Sequence, residues 1–233
     1  MYFLHSDRVW QKFPQLRAAV VVVRGVANIR PEQVDTAETI AEVCQRLASA
    51  QESEIPSIQA WRHAYAAMGL KPTQYRCAAE ALLRRLRKDR TLPRFHPLID
   101  VLNAESMRAA IPIAAFDIAH VVEGITVRPA LGDEIYETFQ GEVEHPAPEE
   151  VILADAAGQA HSRRWVYRQG AVSVVNDTSN TVLIVAEALH DEAAVDLMTL
   201  KSRLEGRAVA LGITIGESAL LTPERRRLDY AAA

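Results

Sequence analysis

Cysteine is nearly absent: Cys44 and Cys77 are the only two in 233 residues, and no C-x-x-C occurs. Two thiols make neither a disulfide framework nor a four-cysteine zinc site. Both fall in helix-like sequence and read as buried residues of a reducing compartment. Glycine is scarce, ten residues, and none completes G-x-G-x-x-G or G-x-x-x-x-G-K-[ST], so a phosphate-cradling loop has no place. H-E-x-x-H and G-x-S-x-G are missing, and the seven histidines are scattered, with no pair at helical ligand spacing. These absences argue against nucleotide-fold enzymes, zincins and α/β-hydrolases, and no metal or cofactor is expected. The longest wholly apolar stretches, such as Ala18–Val23, are six or seven residues, far short of the roughly 20 that span a bilayer. The start, Met1 to Arg8, lacks a basic region followed by an apolar core. The expectation is a cytosolic protein without membrane contact. With 26 basic against 30 acidic residues the net charge is −4. No global field exists to hold nucleic acid, so any RNA contact must be local.

What is present is an ordinary globular composition, 49% apolar and 24% charged, in a chain long enough to bury a sizeable core. Val9, Trp10, Phe13 and Leu16 form a helical stripe. Ala18–Val23 reads as a strand buried on both faces. Asp35-x-x-Glu38 resembles a capping box ahead of Ile40, Cys44 and Leu47 at helical spacing. Two helices follow, from Pro56 to Gly69 and from about Thr73 to Lys88. Residues 93–189 read as β-rich, with strands at Ile125–Arg128, Glu134–Phe139, Val151–Ala154, Ser162–Arg168, Val172–Val175 and Val182–Ala186. Asp191 to about Leu211 returns to helix, Ile213–Leu221 to strand, and the chain from Pro223 looks loose. Helices grouped before hairpin-spaced strands predict an α+β fold, a helical N-terminal part packed on a mixed or antiparallel sheet.

Three constellations carry chemistry. Between Arg76 and Arg94 stand seven basic and two acidic residues, a local +5. Arg84, Arg85, Arg87 and Lys88 share its outer face. Guanidinium forks suit phosphate, although a solvated helix face has the same composition. In Arg163-Arg164-Trp165-Val166-Tyr167-Arg168-Gln169, strand alternation puts Arg163, Trp165, Tyr167 and Gln169 on one face. Aromatics beside guanidinium groups can stack a base or grip a phosphate. An edge strand covering the core is the bland alternative. The third set is diffuse: Asp100, Asn103, Asp117, Thr178 and Glu187. Glu187 closes an apolar run, where a lone carboxylate is costly unless partnered. His96, in a loop before Pro97, is a weaker candidate base.

The middle of the chain resembles the editing (tRNA-binding) module of the phenylalanyl-tRNA synthetase β-subunit, its B-three/B-four domain, in free-standing form. Leu98-Ile99-Asp100-Val101-Leu102-Asn103 is similar to V-D-V-T-N, and Ile111-Pro112-Ile113-Ala114-Ala115-Phe116-Asp117-Ile118 to Q-P-L-H-A-F-D-L. Gly124-Ile125-Thr126-Val127-Arg128 follows G-I-x-V-R. Val151 to Asp155 follows L-V-I-A-D, and Val182 to Ala188 follows V-L-L-E-x-A. The blocks keep the family's order across residues 95–190.

The resemblance implies one free-standing domain over residues 1–222. It has an extension 1–55, a helical pair 56–92, a pocket core 93–189, a C-terminal helix and strand 190–222, and a tail 223–233. It implies hydrolysis of the ester between tRNA and a wrongly attached amino acid, with the 3′ end of aminoacyl-tRNA as partner and no aminoacylation. A homo-oligomer stays open. Asn103 and Glu187 match family pocket residues, and Arg168 is expected to serve the oxyanion or the terminal phosphate. Ala114, Tyr167, Gln169, Thr178 and Asp100 complete the expected pocket, and Arg84, Arg85, Arg87, Lys88, Arg163 and Arg164 the RNA contact. The family's pocket histidine is Ala114 here, and its glycine-rich wall is replaced near Tyr167-Arg168-Gln169, so tyrosine specificity is not implied. A non-catalytic RNA-binding or small amino-acid-like ligand-binding module is the alternative. A hydrolase or binder of a free metabolite is a third reading.

Overall fold

The computed structural model describes residues 1–232. The chain opens with β1 (Tyr2–His5), helix α1 (Asp7–Lys12) and β2 (Arg17–Arg24). Helices α2 (Ala37–Ser49), α3 (Pro56–Ala67), α4 (Ala78–Asp89) and α5 (Pro97–Ala109) follow. Next come β3 (Ile113–Asp117), β4 (Gly124–Pro129) and the pair β5 (Tyr136–Glu137) and β6 (Val143–Glu144). Then β7 (Val151–Ala154), β8 (Ala160–Arg163), β9 (Arg168–Gln169) and β10 (Thr181–Ala188) precede α6 (Ala193–Ala210), β11 (Thr214–Leu221) and β12 (Arg227–Asp229). One sheet runs β12-β1-β4-β7-β8-β9 and a second β11-β2-β10-β3. Only β1 and β4 pair in parallel; the other pairings of both sheets are antiparallel. The fold is α+β, as the grouping of elements predicts. Among the described residues no helix is long and apolar enough to cross a membrane.

The central strands of the second sheet, β2 and β10, are buried on both faces, which explains their β-branched composition. Ala18, Val20 and Val22 of β2, with Leu183 and Val185 of β10, face a larger core. It holds Trp61, Tyr65, Leu83, Leu86 and residues of the six-stranded sheet such as Phe3, Ile125 and Leu153. Ala19, Val21 and Val23, with Val182, Ile184 and Ala186, face a second core under α5 and α6. The two-residue period of a strand therefore decides which core each side chain of β10 enters.

Several expectations are corrected. The stretch from Pro97 is a helix, not β-rich sequence. Pro97 occupies its first turn, and His96 is its N-cap, the Nδ1 accepting the Leu98 N–H at 3.2 Å. His96 is thus spent on capping, and burial pushes its imidazole below the ordinary value. Leu98, Val101 and Leu102 of this helix enter the second core. The second helix of the pair begins only at Ala78, preceded by buried Cys77, whose thiol burial pushes up to about 12. Residues 223–232, expected to be loose, contain β12, which pairs with β1, and the Met1 ammonium donates to the Tyr230 carbonyl at 2.7 Å. Val172–Val175 forms no strand, and Glu134–Phe139 shortens to β5.

Strand β1 approaches β4 so closely that glycine is required at the first position of β4. A Cβ on Gly124 would lie 2.3 Å from the Tyr2 carbonyl oxygen and 2.7 Å from its nitrogen. Gly124→Ala is expected to push β1 off the sheet and to lower stability by about 3 kcal/mol. Urea unfolding measures this; an unchanged midpoint would contradict the packing.

Candidate functional site: a hollow beside a buried carboxylate

Strand alternation places Glu187 on the same face as Leu183 and Val185, inside the larger core, where it is 2% exposed. An unpartnered carboxylate there would cost several kcal/mol. Two donors offset this. His5 Nε2 lies 2.6 Å and Trp165 Nε1 2.8 Å from the same oxygen, Oε1. An ionised carboxylate only accepts, so in that state the imidazole donates through Nε2. No hydrogen bond among the described residues reaches Oε2. The Trp61 indole N–H donates to the Glu187 backbone carbonyl at 3.3 Å.

Each donor is delivered by an unusual piece of backbone or topology. His5 comes from β1, whose parallel register sets it opposite Val127. Its fully buried ring sits edge-on to Phe3 and Trp10 at 5.3 and 5.1 Å, and its Nδ1 has no partner. Trp165 lies in the turn between β8 and β9, where Arg164 and Trp165 have φ of +48° and +60°. Such angles strain residues with a Cβ, most of all a bulky one, and tend to mark functional sites. The turn throws the indole inward against Trp61 (4.9 Å) and Phe13 (5.1 Å). The continuous strand expected at Ser162–Arg168 is therefore two short strands around a tight turn, and the expected sharing of a face by Arg163, Trp165 and Tyr167 does not hold.

A hollow of about 60 Å³ opens beside Glu187, walled by Ala114, Leu153, Trp165 and Tyr167, with Arg168 and Gln169 also lining it. Ala114 faces it because β3 pairs Ala114 with Val185, two residues before Glu187. Gln169 Nε2 donates to the Ala115 carbonyl at 2.8 Å, bracing β9 against β3. The Arg168 guanidinium lies 6.0 Å from the Tyr136 ring centre and forms no ion pair among the described residues. Beside the hollow, Tyr167 meets Tyr75 edge-to-face at 5.3 Å, and the Arg164 guanidinium lies over both rings at 5.7 and 4.7 Å.

The hollow therefore brings together Glu187, Arg168, Ala114, Tyr167 and Gln169. Asn103 and Asp100 do not belong to it. They line a separate cavity of about 210 Å³ with Leu86 and Arg90. Ala78, at the start of α4, touches the hollow, whereas Arg90 lies just beyond that helix's end. At 1.5 Å rise per residue the two are about 18 Å apart. Because their segment is helical, Asp100 and Asn103 turn toward α4 and α2 instead of β10. Thr178 is exposed and donates to Asn176 Oδ1 in the loop before β10. Asn103, and two of the five residues expected to complete the pocket, are thus placed elsewhere.

The expected RNA-binding arginines also divide. Arg87 spends its guanidinium on Glu52 and on the carbonyls of Leu47 and Ala50, and Arg84 pairs with Glu52 at 3.0 Å. Arg163 is buried and bonds both oxygens of Glu150 at 2.9 Å, and Glu144 as well. Burial raises the Glu150 carboxyl, but the Arg163 bonds outweigh that and hold it below the usual range. Arg87 and Arg163 are accordingly internal struts. Lys88 is exposed, Arg85 is exposed beside Asp89 at 3.7 Å, and Arg164 is half-buried over the Tyr75 and Tyr167 rings.

One further array has the residue types of a catalytic triad but is closed off from the surface. Ser173 Oγ lies 2.9 Å from His161 Nδ1, and His161 Nε2 lies 3.4 Å from Asp155 Oδ2. Ser173 is fully buried, and Asp155 accepts the N–H groups of Val122, Ala157 and Gln159. The array ties down the turn between β7 and β8.

Sequence reasoning missed His5 and Trp61 as partners of Glu187, and held an inward Trp165 only as the bland alternative. Only the alternation of Tyr2-Phe3-Leu4-His5 could have flagged β1.

A family model described as the B3/4 domain matches residues 60–209. Among solved structures, an N-terminal fragment of the phenylalanyl-tRNA synthetase beta-subunit from Pyrococcus horikoshii is similar at 12% identity with a TM-score of 0.46. The similarity covers 91% of this chain and 49% of that one, so the chain spans about half its length. No curated protein matches the sequence.

Proposed function

We propose that this chain, which belongs to the B3/4 domain family, binds the 3′ end of aminoacyl-tRNA and hydrolyses wrongly formed aminoacyl esters in trans. The observation that carries the reading is the split carboxylate of Glu187: Oε1 is held by two donors, while Oε2, beside the hollow, has no partner among the described residues. A buried, half-satisfied carboxylate in a cleft is a natural seat for an ammonium group.

An aminoacyl ester is already activated. It needs an anchor for its α-ammonium, a positioned water and a donor for the developing oxyanion. Glu187 Oε2 supplies the anchor and Arg168 the donor. The water oxygen bonds to the acyl carbon, the ester C–O bond breaks, and the ribose oxygen leaves as a hydroxyl carrying a proton from that water. The products are a free amino acid and deacylated tRNA. Ala114 offers no base, so the vicinal ribose hydroxyl relays the proton. Tyr75, Tyr167 and Arg164 provide faces on which the terminal base can stack.

Deacylation of a panel of mischarged tRNAs tests this. At least one ester is expected to be hydrolysed well above the uncatalysed rate; no acceleration for any of them removes the reading. The absence of a side-chain base at Ala114 favours a second reading, a binding module without turnover. It predicts tRNA binding whose log-affinity falls with log salt, and no acceleration in that assay.

A further inference from the structure

We infer that the hollow admits only a small aminoacyl side chain and excludes an aromatic one. The inference rests on the reading above and gives it a substrate class. At about 60 Å³, the hollow is well under half the roughly 150 Å³ of a buried cavity that accepts benzene. Its inner walls cannot easily yield. Trp165 is fully buried and wedged against Trp61 and Phe13, and Leu153 is 1% exposed on a strand between two others. Close-packed interiors of this kind transmit strain instead of opening. Two of the polar groups around it are committed to the protein. Ser162 Oγ donates to the Trp165 carbonyl, and Gln169 Nε2 to the Ala115 carbonyl. Glu187 Oε2 and Arg168 stay free, and they match the ammonium and carbonyl common to all amino acids. The Tyr167 hydroxyl and Gln169 Oε1 also make no hydrogen bond among the described residues, so it is the small volume of the hollow, not a lack of polar groups, that sets the selection.

The test compares the chain's deacylation of alanyl- and seryl-tRNA with that of tyrosyl- and phenylalanyl-tRNA. The small esters are expected to be favoured by about 100-fold in kcat/KM. V166A, which trims an apolar wall residue while leaving its carbonyl to accept the Ala78 N–H, is expected to narrow that ratio. Equal or faster hydrolysis of the aromatic esters overturns the size rule. A second arm needs no turnover. L-alaninamide is expected to shift the Trp165 indole N–H resonance saturably, and L-tyrosinamide is not. If no ester is hydrolysed but alaninamide alone shifts the indole, the editing reading fails and the size rule stands. If both amides shift it equally, or neither does, the size rule fails.

Discussion

Replacing Glu187 by alanine is expected to abolish ester hydrolysis and to weaken the fold. The weakening follows from what the carboxylate satisfies. Without it the His5 and Trp165 N–H groups stay buried with no acceptor, each costing about 1–3 kcal/mol. The combined loss, on the order of 2–6 kcal/mol, is a large part of the 5–15 kcal/mol typical of a domain. Glu187→Gln separates function from folding. It keeps the shape and one acceptor oxygen at the site of Oε1, but puts a neutral amide where the ammonium would bind. A charge-assisted hydrogen bond is worth about 1.5–3 kcal/mol, so kcat/KM should fall by roughly 10- to 100-fold while most of the stability returns. Urea unfolding and deacylation on the same samples read both effects. An E187A protein with unimpaired deacylation would refute the assigned role.

The second large effect is expected at His5, outside residues 60–209 that match the family. His5→Ala should cost about 2–5 kcal/mol, because it leaves a void between Phe3 and Trp10 and removes a donor from Oε1. With Trp165 as the sole remaining donor, the carboxylate is free to turn, and kcat/KM should drop with it. His5→Gln reaches a similar point with an N–H and should recover most of both losses. Rescue of stability without rescue of activity would show that His5 merely packs. Equal loss in both variants would show that the hydrogen bond to Glu187 is not what matters.

Much of this architecture is written locally. The β-branched run of β2 and the apolar stripes of α3 and α4 dictate their own elements, since each obeys a period that depends only on neighbours in sequence. The oddity of Glu187 is equally local: an acid closing Val182-Leu183-Ile184-Val185-Ala186 must find a partner. Even so, local pattern misleads in places. Residues 97–109 fall in a stretch that reads as β-rich, and the His96 cap and the burial of Leu98, Val101 and Leu102 in the second core go with a helix instead.

By itself, then, the sequence determined the fold class, most of the elements, and that a carboxylate would need a partner in the core. The tertiary structure alone decided who that partner is and which other residues share its hollow. His5 is 182 positions from Glu187, and nothing near either residue encodes a contact that arises only when β1 joins β4. Arg164 and Trp165 adopt left-handed backbone without a glycine to announce it, so alternation grouped Trp165 with Arg163 and Tyr167 on a face that the turn does not keep. The basic face of α4 was legible as charge, but its pairing with Glu52, more than thirty positions earlier, depends on chain folding. Periodicity is a short-range property of the backbone; convergence on a site is a long-range one, settled by which surfaces pack.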